Sequence, residues 1–382
     1  MARAILTIYR LLSSQLSSAF FPKGYMLKIS SALSRGCVSL ATLICAATIA
    51  GCGNSTASPT PAVSTNSTLT PKFVPFIPKE RVYVSNKGAG TIIAFSLSDS
   101  GNVAPENTIG GSNTGLTAPF ALAVDADGTI YTANDGSSTV LIFPNGANGN
   151  VTPRTLNVQG PTEGIAIDNN GSIYVSSNTL NSIAVYAAGS VGNASPVATI
   201  SGNNTELSHP TGMAFDTNNN LYVGVINNGL AGLGEFSASA IAAGGIENIA
   251  PIATVTDANG TALSQGPAAD SNGRIVTGNM CAFGSGIEIF APGLTSNVAP
   301  VQTILSSTPG CTVSYAVDVT SIGFNAPTNN IYALTNAGKA ASDFPYAISV
   351  FASTANGSVA STTTPISGSN TTFNNPMVIA IH

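Results

Sequence analysis

From residue 80 onward the apolar positions come in short runs that never reach helical length. One run reads aliphatic–Tyr–small: VYV at 82–84, IYT at 130–132, IYV at 173–175, LYV at 221–223, IVT at 275–277 and IYA at 331–333. A second run follows and ends on an aromatic ring: IIAF at 92–95, VLIF at 140–143, IAVY at 183–186, LGEF at 233–236, IEIF at 287–290 and ISVF at 348–351. Upstream of the first run sits a polar turn: DADG at 125–128, DNNG at 168–171, DTNN at 216–219, DSNG at 270–273 and the longer NAPTNN at 325–330. The strands read as alternating apolar and polar, the pattern of sheets that pack face to face. The pattern predicts an all-β protein.

After the second run the chain repeats one phrase. It is GNVAP at 101–105, GNVTP at 149–153, GNASP at 192–196, ENIAP at 247–251, SNVAP at 296–300 and a decayed GSVAS at 357–361. Short apolar runs follow it, such as NTI at 107–109, VATI at 197–200 and VQTI at 301–304. That makes four strands per unit and about 50 residues per repeat, the spacing of propeller blades. The phrase falls between the third strand and the outermost fourth. Gly and Asn make its turn, and Pro opens an edge strand with no neighbour to satisfy.

Two residues before the turn Asp, or its counterpart, stand Ala123, Ala166, Ala214, Ala268, Gly323 and Ala380. Inner strands of a propeller converge on an axis, and small residues suit that crowding. The chain ends PMVIAIH at 376–382, matching PTGMAFD at 210–216 at its Pro and Ala, with His382 at the Asp position. This last segment is an inner strand without its other three, and the unit from Arg81 holds the other three without an inner one. Joined, they complete one blade and leave no open sheet edge. The expected fold is an all-β, six-bladed β-propeller of four-stranded blades, closed by pairing of the C-terminal strand with the first blade.

The repeated phrases P-x-G-aliphatic-A-x-D, G-x-aliphatic-Y-V and I-x-V-F resemble those of the NHL-repeat family of six-bladed propellers, over residues 81–382. Units five and six depart most, with Val276 in place of the Tyr and a longer turn after Asn325.

Composition adds an address. Cys37–Ile49 is an uncharged apolar run just after Arg35, too short for a span of about 20 residues and suited to a signal-peptide core. It leads into IAGC at 49–52, which resembles the bacterial lipobox and implies that Cys52 carries a lipid as the first mature residue. Met26 would make a more ordinary start than Met1. Residues 1–51 are then the signal peptide. Residues 52–78, rich in Ser, Thr and Pro, are a flexible tether, and 79–382 are the propeller. Gly53, where aspartate would favour inner-membrane retention, points to an outer membrane on its periplasmic side or at the cell surface.

Charged residues make up only 8% of the chain, against about 25% in a typical soluble domain. All 17 acids follow residue 52, with only Lys72, Lys79, Arg81, Lys87, Arg154, Arg274 and Lys339 as bases. Such a surface repels phosphate backbones and argues against nucleic acid as a partner. The expected partners are the membrane, through the lipid, and a protein, peptide or carbohydrate ligand, with the chain a monomer.

Candidate chemistry is thin. The Asp turns lack the further oxygen ligands of a calcium loop and read as hairpin caps. Cys281 and Cys311 remain after export and form the expected disulfide. Asn86, Asn134, Asn178, Asn227, Asn279 and Asn336 follow the Tyr strand, as a rim to grip a ligand or as turn caps. With His209 and His382 the only histidines, a three-His zinc site is impossible, and no cofactor is expected. Glu163 and His209 lie in links between blades, on the face where a ligand would sit. Three readings follow: a non-enzymatic binding scaffold; a metal-assisted hydrolase or lyase resembling lactonases, using Glu163, Glu206 or Asp318 at the central channel; or a purely structural envelope protein.

Overall fold

An aspartate builds the inner hairpin of blades two to five, and Asn325 takes its place in blade six. Asp125 Oδ1 accepts the backbone N–H groups of Asp127 (3.0 Å) and Thr129 (2.8 Å). Asp168, Asp216 and Asp270 hold the residues two and four further on in the same way. An Asp oxygen that satisfies two turn amides fixes the reversal, and Gly128, Gly171 and Gly273 supply the positive φ that ends it. The caps leave these aspartates to the hairpins, as the sequence suggests.

The computed structural model describes residues 80–382 apart from 228–229, 242–244, 257–261, 264–265, 281–285, 297, 306–317 and 337–345. Cys52, Cys281 and Cys311, and with them the proposed lipid site and disulfide, lie outside the described residues.

Blade one begins with β1 (Arg81–Asn86), β2 (Thr91–Ser96) and β3 (Asn107–Ile109). Blade two is β4 (Pro119–Val124), β5 (Ile130–Asn134), β6 (Thr139–Phe143) and β7 (Arg154–Asn157). Blade three is β8 (Gly164–Ile167), β9 (Ile173–Ser177), β10 (Ser182–Tyr186) and β11 (Ala198–Ile200). In blade four, β12 (Met213–Phe215), β13 (Leu221–Asn227) and β14 (Leu230–Phe236) precede a helical turn (Ala238–Ile241), β15 (Gly245–Glu247) and the outer strand β16 (Ala253–Thr256). Blade five holds β17 (Ala262–Leu263), β18 (Ala268–Ala269), β19 (Ile275–Met280), β20 (Gly286–Phe290) and β21 (Gln302–Leu305). Blade six holds β22 (Asp318–Asn325), β23 (Asn330–Asn336), β24 (Tyr346–Ala352) and β25 (Gly357–Ser358), and its outer run bridges Ile366 to Ile348. The last strand, β26 (Pro376–Ile381), returns to blade one, which is ordered β26-β1-β2-β3. Closure therefore occurs as expected: Arg81 and His382 exchange both backbone hydrogen bonds, at 2.9 and 3.0 Å.

Three expectations need correction. The middle strands do not alternate in burial; β9 and β10 are buried at every position, because a blade is pressed by a neighbour on each face. Thr132 Oγ1 inside this double core bonds to the Ala121 carbonyl at 2.7 Å, whereas the equivalent Thr277 Oγ1 of blade five has no partner.

The small inner-strand residues stand opposite the aromatic run. Ala123 pairs with Tyr131, Ala166 with Tyr174, Ala214 with Tyr222, Gly323 with Tyr332 and Ala380 with Tyr83. Their size makes room for the ring across the ladder and for the next inner strand; a Cβ on Gly323 would fall 2.6 Å from Ile381.

The repeated phrase is not a free edge. Its first residue pairs in parallel with the outer strand of the preceding blade: Gly149 with Ile109, Gly192 with Leu156, Glu247 with Ile200 and Gly357 with Ile304. At the sixth-to-first junction Gly101 accepts the Ser367 N–H at 3.1 Å. The phrase thus stitches blade to blade.

Candidate functional site

The links into each blade and the second-to-third-strand hairpins share one face. Asp135 N–H donates to the Ala118 carbonyl (2.9 Å), Gly88 N–H to Asn374 (2.8 Å), and His209 N–H to Asn181 Oδ1 (2.9 Å). The central channel opens here. Its wall takes Ala121, Gly164, Gly212, Gly266, Ser321 and Val378, one from each blade, around a cavity of about 70 Å³. These residues stand two positions before the small residues of the sequence pattern.

The wall is asymmetric. The register of the inner strand or its partner shifts beside Ser85, Phe120 and Thr320 in blades one, two and six, and such bulges re-aim side chains. Blades three to five use glycine instead. A Cβ on Gly164 would sit 2.4 Å from the Thr211 carbonyl oxygen, and one on Gly266 would sit 3.1 Å from the Gly212 Cα. Only glycine allows these backbones so close.

Glu163 enters the channel from this glycine side. Its N–H is fixed on the Ser176 carbonyl at 2.9 Å, and Asn178 Nδ2 donates to Oε2 at 3.0 Å. Burial pushes its carboxyl above the ordinary range, Asp135 adds to this, and Lys87 opposes it. Lys87 pairs with Asp135 at 2.7 Å and lies 5.2 Å from the centre of the Phe120 ring. The arrangement is one partly desolvated carboxylate with a neutral amide, beside an ion pair. It suits an incoming N–H or O–H donor.

The predicted rim divides. Asn86 is fully buried; its Oδ1 accepts the Asn374 N–H at 2.7 Å and its Nδ2 donates to the Thr372 carbonyl at 3.0 Å. Asn134 Oδ1 accepts from Thr117 and Ala118, and Nδ2 donates to Gly115. Both hold a link in place. Asn178 alone of these three reaches an acid, because it stands one residue later relative to its strand Tyr. The side chains of Asn227, Asn279, Asn336 and Asp318 lie outside the described residues.

His209 and Glu206 are exposed in the link into blade four, with positive φ of 45° and 54°. Glu206 borders a different cavity of about 190 Å³ beside Phe236 and Val255, so it does not converge with Glu163. Among the described residues no group of three or more His, Cys, Asp or Glu is placed to hold a metal ion.

Lys87, Phe120 and Asp135 escaped the sequence reading. Lys87 is one of the seven bases beyond residue 52, and that rarity was the available signal.

No family model matches the chain, and no curated protein matches it. It is similar to many solved structures, among them two of unknown function. One, from Bacteroides caccae and described as a protein of unknown function, is 11% identical, with a TM-score of 0.52 over 79% of this chain and 98% of that one. The other, a functionally unknown protein from Desulfotomaculum acetoxidans DSM 771, is 13% identical, with a TM-score of 0.48 over 79% of this chain and 98% of that one. The first likeness speaks to fold alone.

Proposed function

We propose that the chain is a bacterial cell-envelope lipoprotein, anchored at Cys52, whose propeller is a non-enzymatic binding scaffold that takes its ligand at the channel mouth. The observation that carries the ligand site is Glu163, a half-buried carboxylate set in a wall of glycines with Asn178 on one oxygen. A repeat ring presents a broad, stiff face, and a protein, peptide or carbohydrate ligand offers the N–H or O–H donors that a carboxylate selects. The lipobox-like IAGC and the Ser/Thr/Pro tether support the address.

Glycan and peptide arrays probed with the wild-type protein and with Glu163→Gln test the ligand site. Signals lost in the variant, with an unchanged melting temperature, support the reading; identical profiles overturn it. Cation-dependent ester or lactone turnover that disappears in Glu163→Gln would replace the scaffold with a hydrolase. Separately, Cys52→Ser should move the protein from the membrane to the soluble fraction.

A further inference from the structure

Blade six carries the smallest side chains in one layer, a thinning that blade four shares. The cross-strand pair facing the preceding blade is Val84–Ile93 in blade one, Thr132–Leu141 in blade two, Val175–Ala184 in blade three and Thr277–Glu288 in blade five, but Ala333–Ser349 in blade six. The third-strand aromatic next to this layer is at most 2% exposed as Phe95, Phe143, Tyr186, Phe236 and Phe290. Its sixth copy, Phe351, is only partly buried. The missing side-chain volume reappears as a cavity of about 350 Å³. Blade four follows the same rule with Val223–Gly234 and the cavity of about 190 Å³.

The walls of the larger cavity are Ile287 and Ile304 from blade five, and Val319, Ala333 and Phe351 from blade six. The decayed sixth phrase and the run after it, from Val359 to Pro365, form the outer side, where Thr363 is exposed. No charged side chain lines it among the described residues. The polar edge is Thr335, Ser349 and Ser361. Thr335 Oγ1 donates to the Ala347 carbonyl at 3.2 Å, and Ser361 Oγ donates to the Val350 carbonyl at 3.0 Å. Both hydroxyl protons are engaged and Ser361 Oγ also accepts the Val350 N–H at 2.9 Å, so what remains for a ligand is acceptor capacity, most of it on Thr335.

We propose that the space between blades five and six is a binding pocket for a compact neutral molecule with an apolar body and an N–H or O–H donor. The volume falls within the range of about 300–1,000 Å³ typical of small-molecule sites. A charged ligand would lose its hydration there without gaining a partner. The pocket is separate from the channel mouth, and neither Glu163 nor Asn178 touches it.

The test uses N-phenyl-1-naphthylamine, a neutral fluorescent amine, titrated into the purified full chain. Saturable binding is expected. Ser349→Ile and Ala333→Val, which restore the blade-one side chains, should each weaken it about tenfold or more. Ile252→Ser, at a surface position 59% exposed, should leave it unchanged. If Ser349→Ile does not fold, Ala333→Val decides. Absence of binding, or binding indifferent to the filling variants, overturns the proposal. So does a filling variant that melts higher while the wild type takes up no probe, since the space is then only a packing defect.

Discussion

Asn150 in the second turn phrase accepts the Asn113 backbone N–H on Oδ1 at 2.7 Å, so a residue of blade two holds the link that leaves blade one. Asn248 does the same for Asn204 at 2.9 Å, and Asn102 for Asn370 at 2.8 Å. In each link a glycine lies against that Asn, and a Thr hydroxyl donates to the glycine carbonyl at 2.7 Å. Asn150→Ala should cost about 1 kcal/mol, the usual worth of one hydrogen bond. Gly111→Ala should cost about 1–3 kcal/mol, since its φ of +116° penalises any Cβ. The double variant should not recover wild-type stability, because the backbone penalty survives removal of the Asn. Urea denaturation of the four proteins checks all three statements.

Arg274 ties blade five to blade six. Its Nε donates to Asp270 at 2.5 Å, and its Nη1 donates to Gln302 at 2.6 Å and to the Ser353 carbonyl at 3.1 Å. The Asp270 side chain is fully buried. Arg274→Ala should destabilise the chain by about 3–5 kcal/mol, the cost of stranding a buried charge. Arg274→Ala combined with Asp270→Asn should recover part of that loss in denaturant titration.

Glu235 is buried, with its Oε2 on the Leu294 N–H at 3.1 Å. Burial raises its carboxyl, against bonds from Tyr222 and Leu294 that favour the charged form. A carboxyl raised on folding binds more protons in the folded state between its unfolded and folded values. Its contribution to stability therefore grows as pH falls through the folded value and levels off below the unfolded one. Glu163, raised for the same first reason, acts in the same direction. Glu235→Gln should be at least as stable as wild type at pH 7 and should gain less on acidification. Thermal melts at steps from pH 7 to pH 4 compare the two slopes.

Glu247 takes the place that glycine holds in four of the other phrases, and is only 5% exposed. Neither carboxylate oxygen has a hydrogen-bond partner. Tyr174 is pushed up to about 12 by burial first, then by Asp168 and Glu247. Two buried oxygens without partners weaken a fold, so Glu247→Met, which removes both at similar volume, should raise stability by about 1 kcal/mol or more. A higher urea midpoint with an unchanged slope is the expected result.

The blades were legible because their determinants are local: a Tyr three to six residues after its Asp turn, an aromatic closing the next strand, a phrase at fixed distance. The stitch was not, because Gly149 and Ile109 belong to different repeats and nothing between them marks the pairing. The candidate site was half legible. Glu163 stands out as an acid among glycines, whereas Asn178 reaches it only through a one-residue offset that the six-fold pattern of Asn conceals. The cavity beside Phe351 was hidden for a related reason. Ala333 and Ser349 are ordinary strand residues, and they matter only beside Val84 and Ile93, which fill the corresponding layer.

Arg81 and His382 bind each other as strand partners, which removes any physical distinction between the ring's beginning and its end. Gene order then becomes a choice of where to cut a circle. Joining these residues and opening the chain at another link would keep every blade intact. It would also move the point at which the sequence before Arg81 joins the ring.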